Sequence, residues 1–325
     1  MENHQDHQDT TSQVNSGWEK QIVEKLAFAA INEQKTARRW GIFFKLLAFA
    51  YFSIILSFAL YPEFKGGISG GKQHTAVIDV QGVIMQGEGA NATSVIEGLQ
   101  NAVKDKNTKG IILNINSPGG SAVQSAYIYD EIRRLKKSHP HIPIYAVVGD
   151  ICASGGYYIA SASDKIYVSQ ASIIGSIGVV MNNFGFAQVL DKLGVERRLL
   201  TAGEHKAMLD PFSPAKEMEV QHLQGMLNQI HQQFISAVRQ GRGDRLKEIE
   251  TPDLFSGLVW TGAEGVRIGL ADDFGSIDYV AREIIGAEEK LNFTPEEHLF
   301  DKLAGKVGTH FEQAFSSLLN APMMR

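Results

Sequence analysis

The chain has 325 residues, 44% of them hydrophobic, and a formal net charge of −5, a composition typical of a folded protein with one large or two modest domains. The negative charge and the lack of long Lys/Arg runs exclude the electrostatic pattern of nucleic-acid-binding proteins, so we predict no nucleic-acid partner. The single cysteine, Cys152, excludes an intrachain disulfide, and no Cys/His cluster has the spacing of zinc ligands, so we predict neither a metal nor a cofactor.

The first predicted element is a transmembrane helix at residues 40–61, which are 22 almost uniformly apolar residues. This length spans the hydrocarbon core of a bilayer, and core helices of soluble proteins seldom stay apolar on every face over such a length. Residues 1–39 are predicted to form a cytoplasmic segment, with a polar, disordered start (1–15) and an amphipathic helix that begins near Ser16. Basic residues are concentrated before and at the start of the span, which places the N-terminus in the cytoplasm: Lys35, Arg38, Arg39 and Lys45.

Residues 62–74 are glycine-rich and are predicted to be a flexible linker to the domain on the far side of the membrane. Residues 75–287 alternate apolar strands with helical periodicity, as in α/β domains with a parallel sheet. Residues 288–325 have helical apolar spacing and are predicted to form a C-terminal helical tail. Within the domain, the predicted strands are 76–80 with 83–85, 110–115, 144–148, 165–168 and 179–182, and the predicted helices are 93–105, 121–137, 155–162, 184–193, 215–240, 261–269 and 276–285.

The most informative motif, at residues 150–160 (DICASGGYYIA), has a serine between a buried strand and an apolar helix of small residues. Ser154 directly precedes Gly155 and Gly156, whose backbone amides at a helix N-terminus are candidate oxyanion donors. This pattern indicates a nucleophile. A serine followed by two glycines is also common in ordinary turns, so the motif alone leaves a plain helix start open.

A second motif, at residues 114–121 (NINSPGGS), is a strand that ends in a Pro-Gly-Gly turn before a helix. In open α/β sheets functional groups gather beyond the carboxyl ends of the strands. We therefore expect this turn and the Ser154 turn to face one another across a crevice. Taken alone, this motif is also explained as an ordinary tight turn.

Three further motifs are residues 173–180 (IIGSIGVV), residues 203–214 (GEHKAMLDPFSP), and the pair 257–265 (GLVWTGAEG) and 268–272 (IGLAD). Together with the two motifs above, they resemble the bacterial signal peptide peptidase A family in its single-domain form. That family consists of Ser/Lys-dyad serine proteases of the Clp protease/crotonase superfamily. The resemblance covers residues 75–285 and implies a Clp protease/crotonase-like α/β domain with a parallel sheet and flanking helices.

The resemblance also assigns roles to individual residues. It implies that Ser154 is the nucleophile, that Lys206 is the general base and that Ser176 orients the lysine. It further implies that the backbone amides of Gly120 and Gly155 bind the oxyanion. An amine acts as a base only when its pKa falls from about 10.4 toward neutrality, and burial has this effect. We therefore expect Lys206 in an apolar pocket without a carboxylate partner.

Two other residues are alternative catalytic groups. His205 is a rival base, because Ser-His pairs are more common than Ser-Lys pairs. Its position next to the motif lysine favours a supporting or exposed role. Cys152 is an alternative nucleophile, but free cysteines are usually small buried hydrophobic residues. We interpret it as structural.

The resemblance implies a membrane-anchored endopeptidase that hydrolyses signal peptides and other extended apolar peptides through an acyl-enzyme. It places the protein in the bacterial inner membrane with an extracytoplasmic catalytic domain, as a homo-oligomer whose dyad is completed between adjacent protomers. A crotonase-type acyl-thioester enzyme is the first alternative, although the carboxylate pair that such enzymes typically use is not evident. A catalytically silent membrane scaffold is the second, and the presence of both dyad residues argues against it.

Overall fold

The computed structural model describes residues 11–65, 72–87 and 90–295, which belong to two compact units separated after residue 71. The described residues of the first unit form one long helix, α1 (Thr11–Lys65). Its segment Lys20–Leu56 is long and apolar enough to cross a membrane. The helix also takes in part of the predicted disordered start and the first residues of the predicted linker. No glycine or proline interrupts the sequence between residues 18 and 40, so nothing stops the helix there.

The second unit is an α/β domain built on an eight-stranded sheet. Its strands are β1 (His74–Ile84), β2 (Thr108–Gly120), β3 (Ile144–Ala153), β4 (Lys165–Val168), β5 (Ile173–Gly175), β6 (Val259–Thr261), β7 (Asp273–Phe274) and β8 (Lys290–Asn292). Its helices are α2 (Ala92–Lys104), α3 (Ala122–Ser138), α4 (Gly155–Ser161), α5 (Ala187–Leu193), α6 (Glu217–Arg242), α7 (Gly262–Arg267) and α8 (Ile277–Tyr279). A 3₁₀ turn (Gly243–Arg245) follows α6, and a π-helical turn (Val280–Ile285) follows α8.

The main path of the sheet has the order β6-β5-β3-β2-β1-β8, and β4 pairs with both β3 and β7. All these pairs are parallel except β5 with β6. Strand β3 therefore pairs with β4 along its first half and with β5 at its end. The carboxyl ends of β2, β3 and β5 meet at one edge of the sheet, where the predicted functional turns lie.

The central strands are buried on both faces. Ile111, Leu113 and Ile115 of β2 belong to the main hydrophobic core, which also includes residues of α2, α3, α4 and α6. Ile112 points to the opposite face, where it joins a smaller cluster with Val280 of the π-helical turn. Side chains of a strand alternate between faces, so a strand buried on both sides is a nearly continuous apolar run.

Three predicted elements differ from the structure. No strand forms at residues 179–182. The whole segment 176–186 is irregular, and no described strand lies beside it to pair with. The predicted helix at 276–285 is a short α-helix that continues as a π-helical turn. The predicted helical tail contains a strand, since β8 pairs in parallel with Thr75–Val77 of β1. The tail beyond residue 295 and residues 1–10 lie outside the described residues.

Candidate active site

Ser154 occupies a strained turn between β3 and α4. Its backbone angles are φ 51° and ψ −121°, and a positive φ is uncommon for a residue other than glycine. The Ser154 amide donates a hydrogen bond to the carbonyl of Gly175 (2.8 Å), and its carbonyl accepts one from the Tyr158 amide (2.9 Å). The hydroxyl makes no capping hydrogen bond to α4. Two hydrogen bonds thus fix the Ser154 backbone, while its hydroxyl is not used to cap the helix and can react with a substrate.

Gly119 and Gly120 bring the end of β2 against the Ser154 turn. Their φ angles are 100° and 150°, which favour glycine. A Cβ atom added to Gly119 would lie 2.7 Å from both the Gly155 amide nitrogen and the Ser154 Cβ, and one added to Gly155 would lie 3.3 Å from the Gly120 nitrogen. The Gly155 amide opens α4 and has no carbonyl within the helix to bond. The two predicted oxyanion amides therefore lie together beside Ser154.

Ser176 follows β5 directly and is also strained, with a φ of 53°. Its amide donates a hydrogen bond to the carbonyl of Leu258 (2.8 Å), while the preceding carbonyl, that of Gly175, accepts the bond from Ser154. A side chain on Gly175 would meet the Trp260 ring at 2.9 Å. Two adjacent residues thus join the Ser154 turn to the loop before β6.

Four of the five predicted site residues line one cavity of about 550 Å³, namely Gly120, Ser154, Gly155 and Ser176. Much of the remaining wall is apolar and comes from α3, α4 and α6 and from the segment after Ser176. The nucleophile candidate and both oxyanion candidates therefore open onto a space large enough for a substrate side chain.

Lys206 is not part of this cavity wall. It lies in the segment between α5 and α6, its side chain is exposed, and it forms no ion pair within the described part of the chain. The expected apolar pocket around Lys206 is therefore wrong for the isolated chain. The reason is that its segment contributes no residue to the two hydrophobic clusters of the domain, and Leu199 (43% exposed) and Leu200 (96%) of this segment face solvent.

His205 does not line the cavity beside Ser154 and instead contacts α6. Its Nδ1 atom lies 3.2 Å from an oxygen of the Glu219 carboxylate, and the Lys216 ammonium lies 3.3 Å from the same oxygen. The hydrogen bond from His205, together with the bond and charge of Lys216, holds the pKa of Glu219 below its usual value despite burial. His205 thus links the Lys206 segment to the first turn of α6.

Cys152 is completely buried in the main core, and burial raises the pKa of its thiol. A thiol that stays protonated is a poor nucleophile, which agrees with its interpretation as structural. Within the described ranges no group of three or more His, Cys, Asp or Glu side chains is arranged to hold a metal ion.

Two residues near the site were not predicted from the sequence. The His231 Nε2 atom of α6 lies 3.0 Å from the carbonyl oxygen of Ile177, the residue after Ser176. Asp130 of α3 lines the cavity. The helical spacing of 122, 126 and 130 places these positions on one face, so the sequence carried a signal for Asp130 once α3 was known to border the site.

Two families match the second unit. Residues 136–290 match peptidase family S49, and residues 74–174 match the Clp protease family. Both matches contain the Ser154 turn, and the first also contains Ser176 and Lys206. They agree with the predicted family and with the predicted Clp protease-like α/β fold.

Three curated relatives are similar to the chain. A Na⁺/H⁺ antiporter NhaA from Brucella abortus is 40% identical over 238 residues, which are 71% of this chain and 32% of the relative. A putative signal peptide peptidase SppA from Enterococcus faecium is 34% identical over 185 residues, 57% of this chain and 53% of the relative. A putative protease from Synechocystis sp. is 30% identical over 205 residues, 63% of this chain and 71% of the relative. The chain thus spans about a third of the first relative and about half of the second.

Proposed function

The chain belongs to peptidase family S49, and we propose that it is a serine endopeptidase with Ser154 as its nucleophile and Lys206 as its general base. The observation that carries this proposal is the strained Ser154 turn, which lies beside the Gly120 and Gly155 amides at the wall of a cavity. Backbone amides fixed beside a nucleophile are suited to stabilise the oxyanion of acyl transfer. In this proposal Ser176 orients Lys206.

The proposed reaction has two stages. The uncharged Lys206 amine takes the Ser154 hydroxyl proton as the oxygen attacks the peptide carbonyl carbon, and the two glycine amides bind the oxyanion. The peptide C–N bond then breaks, and the proton passes from Lys206 to the leaving amine. A water molecule then attacks the resulting ester while Lys206 accepts one of its protons. The ester C–O bond breaks, and Lys206 returns the proton to the Ser154 oxygen, which releases the acid product and restores both groups.

We further propose that a second copy of the chain completes the site. An exposed lysine is charged in water, and desolvation is what disfavours the ammonium form. The chain from residue 184 to residue 200, which leads into the segment that carries Lys206, presents large apolar side chains to solvent, among them Phe184 (68% exposed), Leu193 (70%) and Leu200 (96%). Several large apolar side chains exposed in one region are typical of protein interfaces. Packing of this segment against a neighbouring copy would remove water from Lys206 and bring it to a serine.

For substrates and location, we propose signal peptides and other extended apolar peptides at the bacterial inner membrane. The apolar wall of the cavity, which includes Val123, Ala126 and Phe234, suits the hydrocarbon part of a substrate side chain. The Enterococcus relative is named as a putative signal peptide peptidase. The apolar part of α1, with basic residues before it, suits an anchor at residues 40–61 with a cytoplasmic N-terminus and the protease domain on the other side.

Hydrolysis of a signal-peptide-like fluorogenic substrate by the full-length protein in detergent tests the proposal. Ser154→Ala and Lys206→Ala should each lower kcat by about a thousandfold or more. Lys192→Ala is the matched control, because it removes another exposed lysine near the end of α5, and it should retain wild-type kcat. Undiminished hydrolysis by folded Ser154→Ala would contradict the proposed nucleophile, and undiminished hydrolysis by Lys206→Ala would contradict the proposed base.

A further inference from the structure

The cavity beside Ser154 extends along one face of α3. Ala122, Ala126 and Asp130 all line it, and residues four apart lie on the same side of a helix. Helix α3 begins just after Gly120, with Ser121 as its N-cap. At 1.5 Å per residue, Asp130 lies about 12 Å further along the helix than Ala122. A carboxylate therefore stands at the end of the cavity away from the oxyanion amides.

The walls between the two ends are suited to a long aliphatic stem. The α3 wall carries the small side chains of Ala122 and Ala126, beside Val123 and Tyr127, whose side chains are more than half exposed. Tyr158 and Phe234, which also line the cavity, are buried, and their rings stack with centroids 4.8 Å apart. Lysine and arginine side chains pack their methylene stems on apolar surface while their charged ends stay polar.

The Asp130 carboxylate has no cation of its own within the described part of the chain. Its neighbour Glu131 pairs with Arg134 at 2.7 Å, whereas no ion pair involves Asp130. The charge of Asp130 nevertheless acts on the cavity wall. Burial raises the pKa of Tyr158, and the Asp130 carboxylate raises it further. Asp130 is itself exposed, so an unpaired carboxylate lies where an apolar cavity meets solvent, and this arrangement favours a cationic ligand with an aliphatic stem.

We propose that this cavity holds the substrate side chain just before the scissile bond and that Asp130 selects lysine or arginine at that position. The inference rests on the proposed function and narrows its substrate class to peptides in which a basic residue precedes the cleaved bond. The stem of that residue lies between the α3 alanines and the rings of Tyr158 and Phe234, and its cation meets the Asp130 carboxylate.

The test compares two substrates that differ in charge but hardly in shape. Full-length protein in detergent is assayed with a short peptide ending in arginyl-aminomethylcoumarin and with the same peptide ending in citrullyl-aminomethylcoumarin. A charge-assisted hydrogen bond to a partly exposed carboxylate predicts a kcat/KM about tenfold higher for arginine. Asp130→Asn should bring this ratio to about one. Glu131→Gln, which removes a negative charge from the same turn of α3 outside the cavity, should preserve it.

Equal kcat/KM values for the two substrates in the wild type, or an unchanged ratio in Asp130→Asn, would overturn the inference. Hydrolysis of both substrates would still support the proposed function. Binding of the matching unlabelled peptide pair to Ser154→Ala, read by displacement of a fluorescent peptide, tests the inference separately from hydrolysis. A tenfold arginine preference that Asp130→Asn abolishes supports the pocket even where no substrate is cleaved. Equal dissociation constants for the two peptides refute it.

Discussion

Two inactive variants of this chain are expected to restore activity to one another when they assemble together. Ser154→Ala retains Lys206, and Lys206→Ala retains the serine. Because Lys206 is exposed and lies outside the cavity wall in a single chain, we expect each active site to take its serine from one copy and its lysine from the next.

The expected activity follows from the fraction of active sites that contain both Ser154 and Lys206. In a closed ring assembled from equal amounts of the two variants, a site works when its serine comes from a Lys206→Ala copy and its lysine from a Ser154→Ala copy. Each condition is met in about half the cases, so about a quarter of the sites should be intact. If one chain supplied both residues, every copy would lack one of them and no site would be intact.

The assay is co-expression of the two variants with different affinity tags, purification through both tags, and measurement of kcat on the fluorogenic peptide. The matched control pairs Ser154→Ala with the Ser154→Ala/Lys206→Ala double variant, which leaves no intact site in any arrangement. Recovery of about a quarter of wild-type kcat is the expected result. Activity in doubly tagged complexes that is no higher than in the control would refute the shared site.

Three further results are expected. Gly119→Ala should lower kcat by about a hundredfold or more, because its Cβ would lie 2.7 Å from the Gly155 nitrogen and displace an oxyanion donor; wild-type kcat would contradict this geometry. Asp272→Asn should lower the free energy of unfolding, measured by thermal unfolding, by about 3–5 kcal/mol. The Asp272 carboxylate lies 2.6 Å from the buried Arg242 guanidinium, and the substitution removes the negative charge that balances it. Burial raises the pKa of Asp272, but the hydrogen bond and charge of Arg242 outweigh it and leave the pKa below its usual value. The stability that this carboxylate provides is therefore complete above about pH 4 and is lost as the pH falls through the lowered pKa. On acidification below about pH 4, the wild type should lose more stability than Asp272→Asn. Equal acid sensitivity of the two proteins would contradict the assignment.

The family, the α/β class and the main strands could be predicted because their signals are local. Strands β1 to β4 are apolar runs between turn residues, and the match to peptidase family S49 confirms the family suggested by the five motifs. The placement of Gly120 beside Gly155 was also predictable, since parallel strands bring their carboxyl ends to one edge of the sheet.

The remaining features depend on contacts that a local pattern does not encode. Strands β5, β6, β7 and β8 are two or three residues long and exist only because a distant strand pairs with each. The predicted strand at 179–182 has the right composition but no partner, so it stays irregular. Exposure of Lys206 was missed for a similar reason, because a motif gives the identity of a residue and not the surface that covers it.

Backbone strain gives an independent argument for the location of the site. Only three residues other than glycine have a positive φ in the described part of the chain: Ser154, Ser176 and Leu209. Such conformations cost about 1–3 kcal/mol each and persist where the surroundings enforce them, often at functional sites. Two of the three are serines that line one cavity, and the third lies three residues after Lys206. Strain thus marks both the cavity and the separate segment that carries the proposed base, as expected if the two form one active site when a second copy packs against the first.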